Sequence, residues 1–275
     1  MGRASASTRS RDVGAQQCVR LAGQHEDVRG LSEDSTSAQS KKAAPLTGAA
    51  CVGDRAIALE RVRRVIERLC REGTAVASSD GSVHQLFPVA ASPAEGEELR
   101  GWVEREGVSQ TIEVGLGYGI SALFVCEGLL RSAARTARHV VIDPHQATRF
   151  SGCGRQFLDE AGVAALVEYH EEESQIVLPR FVSERRSFDL AFVDGNHRFD
   201  GVFLDLIYLG RLLRPGGVVF VDDYQLPAVA RAVSFCVTNL GWELEEVSAP
   251  DEVHQWAVVR TREPGPRAFY HFVAF

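Results

Sequence analysis

Four polar side chains in the second half of the chain have the types and spacing that acid–base or metal chemistry needs. Asp194 ends one apolar run and precedes His197 by three residues, and the adjacent Asp222 and Asp223 close the next run. Converging carboxylates repel one another unless a cation or protons intervene, and hard oxygen ligands favour Mg²⁺, Mn²⁺ or Ca²⁺ over zinc. A histidine titrates near neutrality and suits the role of general base. We predict a divalent-cation site at the three aspartates with His197 as the base; the alternative is that Asp222 and Asp223 are loop caps and His197 is a surface turn residue.

A glycine-rich segment follows an earlier apolar run. Gly115, Gly117 and Gly119 stand at alternate positions after that run, which itself contains Glu113. A glycine lacks the Cβ that would collide with a bound ligand, and the first amide groups of the helix predicted over residues 120–134 point into the same cleft. A dinucleotide-binding fingerprint would place its third glycine at position 120, which is isoleucine. The segment therefore predicts a ligand-binding loop of another kind, or else a tight strand–helix turn without a ligand.

A further carboxylate, Asp143, ends the run that follows the glycine loop. An acid at the tip of the second strand can accept hydrogen bonds from both hydroxyls of a ribose. Asp143 therefore favours a ligand that contains adenosine, and it does not distinguish one such ligand from another.

Seven short apolar runs after residue 107 predict the strands that position these side chains. Helical patterns separate the first five runs, which is typical of an α/β, doubly wound, mainly parallel sheet with the carboxyl ends of its strands on one edge. Ligands of such sheets bind at that edge, beside the switch in strand order. The runs are Thr111–Gly115, His139–Asp143, Leu166–His170, Phe188–Asp194, Gly217–Asp222, Glu243–Val247 and Trp256–Arg260.

Two helices are predicted ahead of the sheet. Apolar residues recur at helical spacing over residues 55–72. A second helix is predicted over residues 93–106, with Ser92 as its N-cap and Pro93 in its first turn. We expect this N-terminal helical extension to form a lid or a flank on the sheet domain.

The composition limits the remaining organisation. With 275 residues the chain has room for one large domain, which we place at residues 108–275 behind a helical segment at 51–107. Residues 1–50 are rich in small and polar residues without an apolar period, so we expect them to be disordered.

The formal net charge of −7 disfavours nucleic acid as a partner. The sequence has no apolar run near the roughly 20 residues that span a bilayer and no signal-peptide pattern, so we expect a cytoplasmic protein without membrane contact; a homo-oligomer stays open.

The pattern E-x-G-x-G-x-G resembles motif I of the class I S-adenosylmethionine-dependent methyltransferases. The resemblance spans roughly residues 93–275 and includes the Leu-Arg-Pro-Gly-Gly turn at 213–217. It implies the Rossmann-like fold of that family and S-adenosylmethionine as the cofactor. Glu172 and Ser174 follow the third strand where family members contact adenine, although a solvated acidic turn explains them equally well. The residues that the resemblance places at the cofactor are Glu113, Gly115, Gly117, Tyr118, Gly119, Asp143, Glu172, Ser174 and Asp194.

The motif D-G-x-H with a later acidic pair resembles the metal-dependent O-methyltransferases that act on catechols and macrolide sugars. In the sugar enzymes the motif's aspartate binds Mg²⁺, its histidine is the base, and the acidic pair completes the site. The resemblance thus implies Asp194, Asp222 and Asp223 as ligands, His197 as the base, and O-methylation of a small-molecule acceptor. Asp222 stands where the sugar enzymes have glutamate. This shorter side chain either shifts the position of the ion or contacts one of the ion's ligands instead of the ion.

Three other functions remain open on the sequence. A nicotinamide-dependent oxidoreductase would share the fold and Asp143. However, this sequence lacks the third glycine of the dinucleotide fingerprint, and hydride transfer does not need carboxylates on the fourth and fifth strands. A metal-independent N- or O-methyltransferase would rely on His197 alone. A catalytically silent methyltransferase-like protein would bind the cofactor and methylate nothing.

Overall fold

The computed structural model describes residues 52–132, 136–249, 254–263 and 265–275. The segment 1–50, for which we predicted disorder, lies outside the described residues. None of the helices in the described ranges combines the length and the apolar composition that crossing a bilayer requires.

A seven-stranded sheet forms the centre of the domain, in the order β5-β4-β3-β6-β7-β9-β8. The strands from β3 to β7 pair in parallel, while β9 is antiparallel to both β7 and β8. The predicted fold class and all seven predicted strands are confirmed. The strands are β3 (Gln110–Val114), β4 (Arg138–Ile142), β5 (Val167–His170), β6 (Phe188–Val193), β7 (Leu213–Val221), β8 (Glu243–Val247) and β9 (Ala257–Arg260).

Strand β7 begins earlier than we predicted. Its first residue is Leu213, which pairs with Phe188, and the next pairing joins Leu190 to Val218. The Leu-Arg-Pro-Gly-Gly segment is therefore an irregularity within the strand, and Gly216 supplies its positive φ of 75°. A short antiparallel hairpin of β1 (Thr74–Val76) and β2 (Val83–Gln85) was missed, because three residues per strand are too few to show an alternating pattern.

Helices cover both faces of the sheet. Successive residues of a strand point to opposite faces, so that Leu190 and Phe192 of β6 pack in the cluster of α2 and α3, while Ala191 and Val193 pack in that of α5, α6 and α7. The helices are α1 (Val52–Glu72), α2 (Pro93–Arg105), α3 (Ile120–Arg131), α4 (Cys153–Ala161), α5 (Ser174–Ser183), α6 (Phe199–Leu212) and α7 (Pro227–Leu240).

The start of α2 has the cap that the sequence predicted. Ser92 Oγ accepts a hydrogen bond from the backbone N of Glu95 at 3.1 Å, and Pro93 occupies the first turn. The Glu95 side chain completes a capping box, since its Oε2 accepts from the backbone N of Ser92 at 3.3 Å. The cap fixes where the Glu95 carboxylate lies.

Glu127 on α3 connects the N-terminal helices to the sheet domain. Its side chain is 1% exposed and meets Arg63 of α1 at 2.7 Å, Arg100 of α2 at 3.0 Å and Arg131 at 3.5 Å. A buried carboxylate needs such partners to offset its lost hydration. The contacts with Arg63 and Arg100 therefore hold α1 and α2 against α3, while Arg131 pairs with Glu127 within α3.

We expect Glu127→Gln to lower the free energy of unfolding by about 1–3 kcal/mol, because three guanidinium groups lose their common anion while keeping partial access to water. Urea denaturation followed by circular dichroism measures the change. Glu60→Gln removes an exposed i,i+4 pair with Arg64 and serves as the control, with an expected loss below about 0.5 kcal/mol. Equal losses in the two variants would contradict this role of Glu127.

Candidate active site

A cleft of about 450 Å³ opens at the carboxyl ends of β3, β4, β5 and β6. It lies where β3 pairs with β4 on one side and with β6 on the other, which is the switch in strand order at which ligands bind such sheets. Six of the residues that the sequence singled out line this cleft: Gly115, Gly117, Asp143, Ser174, Asp194 and His197.

The glycine loop needs its three glycines for different reasons. Gly115 has a φ of 95°, and a Cβ there would lie 2.0 Å from the backbone oxygen of Asp194. Gly119 is the left-handed N-cap of α3, and its Cβ would lie 3.0 Å from the backbone oxygen of Gly154. Only Gly117, with a φ of 51°, faces open space along the cleft. The close approach to protein backbone at Gly115 and Gly119 is a constraint that the sequence did not indicate.

Asp143 lines the cleft and also holds the glycine loop in place. Its Oδ2 accepts hydrogen bonds from the backbone N of Leu116 at 3.0 Å and of Gly117 at 2.9 Å, and its Oδ1 accepts from the backbone N of His145 at 2.6 Å. The residue is 2% exposed. Its contact with a ribose stays a prediction, and the structure adds a second task, which is to tie the loop to the end of β4.

Glu113 lies behind the glycine loop and does not line the cleft. It is fully buried, its Oε1 accepts from the Ser121 hydroxyl, and its Oε2 lies 2.7 Å from His139 Nε2. The other ring nitrogen of His139 lies 2.9 Å from the Thr111 hydroxyl. This buried chain of polar groups joins β3, β4 and the start of α3, so Glu113 supports the loop from below.

Tyr118 and Glu172 are also outside the cleft wall. The Tyr118 ring packs edge-on against Phe150 at 5.1 Å, and its hydroxyl lies 3.4 Å from His84 Nδ1 on the hairpin. Glu172 pairs with Arg180 through two contacts, the shorter at 2.7 Å, and this guanidinium holds the pKa of the carboxyl below its ordinary value. Of the two residues predicted after β5, the structure brings only Ser174 to the cleft.

His197 lies between two of the predicted carboxylates. Its Nε2 is 3.2 Å from Asp194 Oδ1, and its Nδ1 is 3.0 Å from Asp223 Oδ2. Asp222 adjoins them, because its Oδ1 accepts from the backbone N of Asp223 at 2.6 Å. Asp223 has a φ of 54°, a strained conformation for a residue with a side chain and one that concentrates at functional sites.

Burial and neighbouring charges shift the pKa values of Asp194 and His197. Burial raises the pKa of Asp194, and repulsion from Asp222 adds to that effect. The hydrogen bond to Asp194 in turn raises the pKa of His197 above its ordinary value. An imidazolium between two carboxylates thus supplies the positive charge that the group needs when no other cation is bound.

Two residues that the sequence analysis missed complete the group. His254, just before β9, has its Nδ1 3.3 Å from Asp223 Oδ1 and 3.9 Å from Asp222 Oδ2. Glu95 of α2 is fully buried and its carboxyl lies beside that of Asp222, so burial followed by repulsion from Asp222 raises the pKa of Glu95 well above its ordinary value. A capping-box glutamate has an ordinary helical role, and His254 lies in a segment without periodicity, so neither had a readable signal.

The possible metal ligands fall into two sets that share Asp223. One set joins Asp194, His197 and Asp223, and the other joins Asp222, Asp223 and His254; within each set the ligand atoms lie within 4.8 Å of one another. Each set therefore adds a histidine to the carboxylates that we predicted. Carboxylate oxygens suit Mg²⁺, Mn²⁺ and Ca²⁺, so the donors fit a divalent cation.

Behind Ser174, the buried Asp205 of α6 has an unusual environment. It is 1% exposed, and its Oδ2 has no hydrogen-bond partner among the described residues. Burial raises the pKa of Asp205 to about 6, and a hydrogen bond with the Ser174 side chain offsets part of that effect. Ionising Asp205, which lies beneath the cleft wall, therefore lowers the stability of the fold.

Replacing Asp205 tests this cost. An aspartate titrates near 4 in the unfolded chain and at a higher pH in the fold, so the stability that the neutral form contributes is lost as the pH rises from about 4 to about 6. We expect Asp205→Asn to be more favourable for stability at pH 7.5 than at pH 4, by about 1–3 kcal/mol in urea unfolding. The exposed Asp200→Asn on the same helix should show no such difference. A pH-independent effect of Asp205→Asn would contradict the raised pKa.

Comparisons of sequence place the chain among known methyltransferases. Residues 112–224 match a family model described as a methyltransferase domain. A protein of Mycolicibacterium vanbaalenii named as an O-methyltransferase is 30% identical over 169 residues, which cover 61% of this chain and 70% of the relative. Tricin synthase 1 of Oryza sativa is 28% identical over 177 residues, which cover 58% of this chain and 68% of the relative.

Comparisons of structure agree on the fold. The O-methyltransferase from Bacillus cereus in complex with S-adenosylhomocysteine superposes with a TM-score of 0.55 at 16% identity, over 75% of this chain and 90% of that one. TomG of Streptomyces achromogenes, an O-methyltransferase in complex with S-adenosylmethionine, gives 0.55 at 21% identity over the same shares. The fold, the cleft at the strand switch and the sequence relatives agree, and the chain belongs to the class I S-adenosylmethionine-dependent O-methyltransferases.

Proposed function

We propose that this enzyme transfers the methyl group of S-adenosylmethionine to a hydroxyl oxygen of a small-molecule acceptor, with a divalent cation and His197 assisting. One observation carries the proposal. Asp194 and His197 line the same cleft as the glycine loop and also belong to the group of carboxylates and histidines. The acceptor oxygen and the methyl group would therefore meet at one place. A small acceptor is favoured because a chain with a net charge of −7 has little attraction for a phosphate backbone.

The cofactor would occupy the part of the cleft between the glycine loop and the start of α5. The bare backbone at Gly117 allows close approach, Asp143 offers carboxylate oxygens at the tip of β4, and Ser174 offers a hydroxyl. Asp194 closes this part of the cleft on the side of β6 and would adjoin the methionine end. In this arrangement the sulfonium would lie next to His197.

His197 is positioned to take the proton of the acceptor. The acceptor oxygen attacks the methyl carbon in line with the sulfur, the carbon–sulfur bond breaks, and sulfur keeps the electron pair to give S-adenosylhomocysteine. The hydroxyl proton goes to the imidazole of His197, whose raised pKa makes the neutral ring a stronger base. Asp194 and Asp223 contact the two ring nitrogens, so one of these contacts would open to let the ring take the proton while the other orients it.

Asp194, Asp222 and Asp223 would hold the divalent cation. A bound cation lowers the pKa of a coordinated hydroxyl and fixes its orientation. The carboxylates would bind it with their buried oxygens and prevent its exchange with bulk solvent. A metal-independent reaction is the second candidate, and the specific observation in its favour is that the His197 ring itself bridges Asp194 and Asp223.

We expect Asp194→Asn to lower kcat by about 100-fold or more, because it removes a cation ligand and the group that orients the base. Methyl transfer from labelled S-adenosylmethionine to a panel of catechols, phenols and deoxysugars gives kcat, and isothermal titration gives the affinity for S-adenosylhomocysteine, which should change by less than about threefold.

Wild-type turnover should fall in EDTA and return with Mg²⁺. Turnover that ignores EDTA would support the metal-independent reaction, and equal loss of binding and turnover would mean that Asp194 mainly supports the cofactor.

Asp143→Ala tests the cofactor site. It removes a carboxylate from the cleft lining and releases the backbone of Leu116 and Gly117, so we expect the affinity for S-adenosylhomocysteine to fall about tenfold or more. Isothermal titration measures it. Glu172→Gln breaks an ion pair outside the cleft and should leave the affinity within about twofold of wild type. An unchanged affinity in Asp143→Ala would contradict the proposed cofactor position.

A further inference from the structure

Three carboxylates lie together beside the proposed cation site, with little positive charge near them. Glu95 comes from α2, while Asp222 and Asp223 follow β7. Among the described residues the ion pairs of Asp222 and Asp223 are with histidines only, and Glu95 has no ion pair. Buried carboxylates in contact need a cation or protons to be stable together.

Glu95 has one carboxylate oxygen free of protein donors. Its Oε2 accepts from the backbone N of Ser92 in the capping box, while Oε1 is buried and has no hydrogen-bond partner within the part of the chain that the structure describes. The residue is fully buried, and its carboxyl lies against that of Asp222. A buried acceptor without a donor costs free energy, and a cation at this point would satisfy it.

His254 supplies a nitrogen on the same side. Its Nδ1 and the oxygens of Asp222 and Asp223 lie within 4.8 Å of one another, and neither ring nitrogen has a hydrogen bond to any residue that the structure describes. An imidazole among carboxylates shifts the preference of a site from Mg²⁺ towards transition ions such as Mn²⁺.

We infer that Glu95 and His254 are further ligands of the divalent cation and close its site on the side away from the cleft. The inference rests on the proposed function, because it extends the same cation site. It leaves His197 outside the ligand set and free to act as the base. It also makes α2 a part of the cation site, so that cation binding and the docking of this N-terminal helix stabilise each other.

Mn²⁺ binding to the full chain tests the inference directly. Glu95→Gln is the first variant, because glutamine also completes a capping box and preserves the start of α2 while the charge is removed. Isothermal titration and the electron paramagnetic resonance signal of free Mn²⁺ should show an affinity lowered about tenfold or more. Glu98→Gln on the exposed side of the same helix is the matched control and should bind Mn²⁺ like the wild type.

His254→Gln is the second variant and decides the question if Glu95→Gln does not fold. We expect its Mn²⁺ affinity to fall about tenfold and the ¹⁴N modulation in the electron spin-echo of bound Mn²⁺ to disappear. His197→Gln should keep that modulation. Wild-type Mn²⁺ affinity in either Glu95→Gln or His254→Gln would overturn the inference for that residue.

A separate measurement distinguishes failure of this inference from failure of the proposed function. If the wild type binds S-adenosylhomocysteine and no Mn²⁺, the cation site and this inference both fall, and the methyltransferase reaction without a metal stands. If the wild type binds Mn²⁺ and both variants bind it equally well, the cation site stands and only its extension to α2 is wrong.

Discussion

The contact between the glycine loop and the end of β6 is the constraint on which the site depends. The backbone at Gly115 lies so close to the backbone oxygen of Asp194 that a methyl group at position 115 has no room. Parallel pairing of β3 with β6 brings the two strand ends to this distance. Because the loop would hold the cofactor and Asp194 begins the acidic group, this contact sets the distance between the methyl donor and the residues proposed to act on the acceptor.

Placing several acids at this edge of the sheet costs folding free energy, and the fold offsets this cost in different ways for different residues. Asp143 accepts hydrogen bonds from backbone amides of the glycine loop and of His145, and Glu113 contacts Ser121 and His139. Asp222 and Asp223 accept fewer hydrogen bonds, from the backbone N of Asp223 and from the Gln225 side chain, and Asp194 and Asp223 have histidines beside them. The acids proposed to bind a cation therefore depend on neighbouring histidines more than the acids that support the glycine loop do.

The N-terminal helices belong to the site as well as to the scaffold. Glu127 on α3 holds α1 and α2 through the guanidinium groups of Arg63 and Arg100, and the capping box at the start of α2 holds Glu95 beside Asp222. The side chain that satisfies a helix end also enters the acidic group. Stability of the helix start and the geometry of the proposed cation site are therefore set by the same residues.

The sequence by itself determined the sheet, the helix cap at Ser92 and the strand-end positions of Asp143, Asp194, Asp222 and Asp223. These follow from local patterns, since alternating runs predict strands and parallel strands end on one edge. Only the tertiary structure decided which acids remain free. It buried Glu113 behind the loop, paired Glu172 with Arg180, and brought Glu95 and His254 to the aspartates. Such contacts join residues far apart in the chain, and their partners depend on how helices and loops pack rather than on any local period.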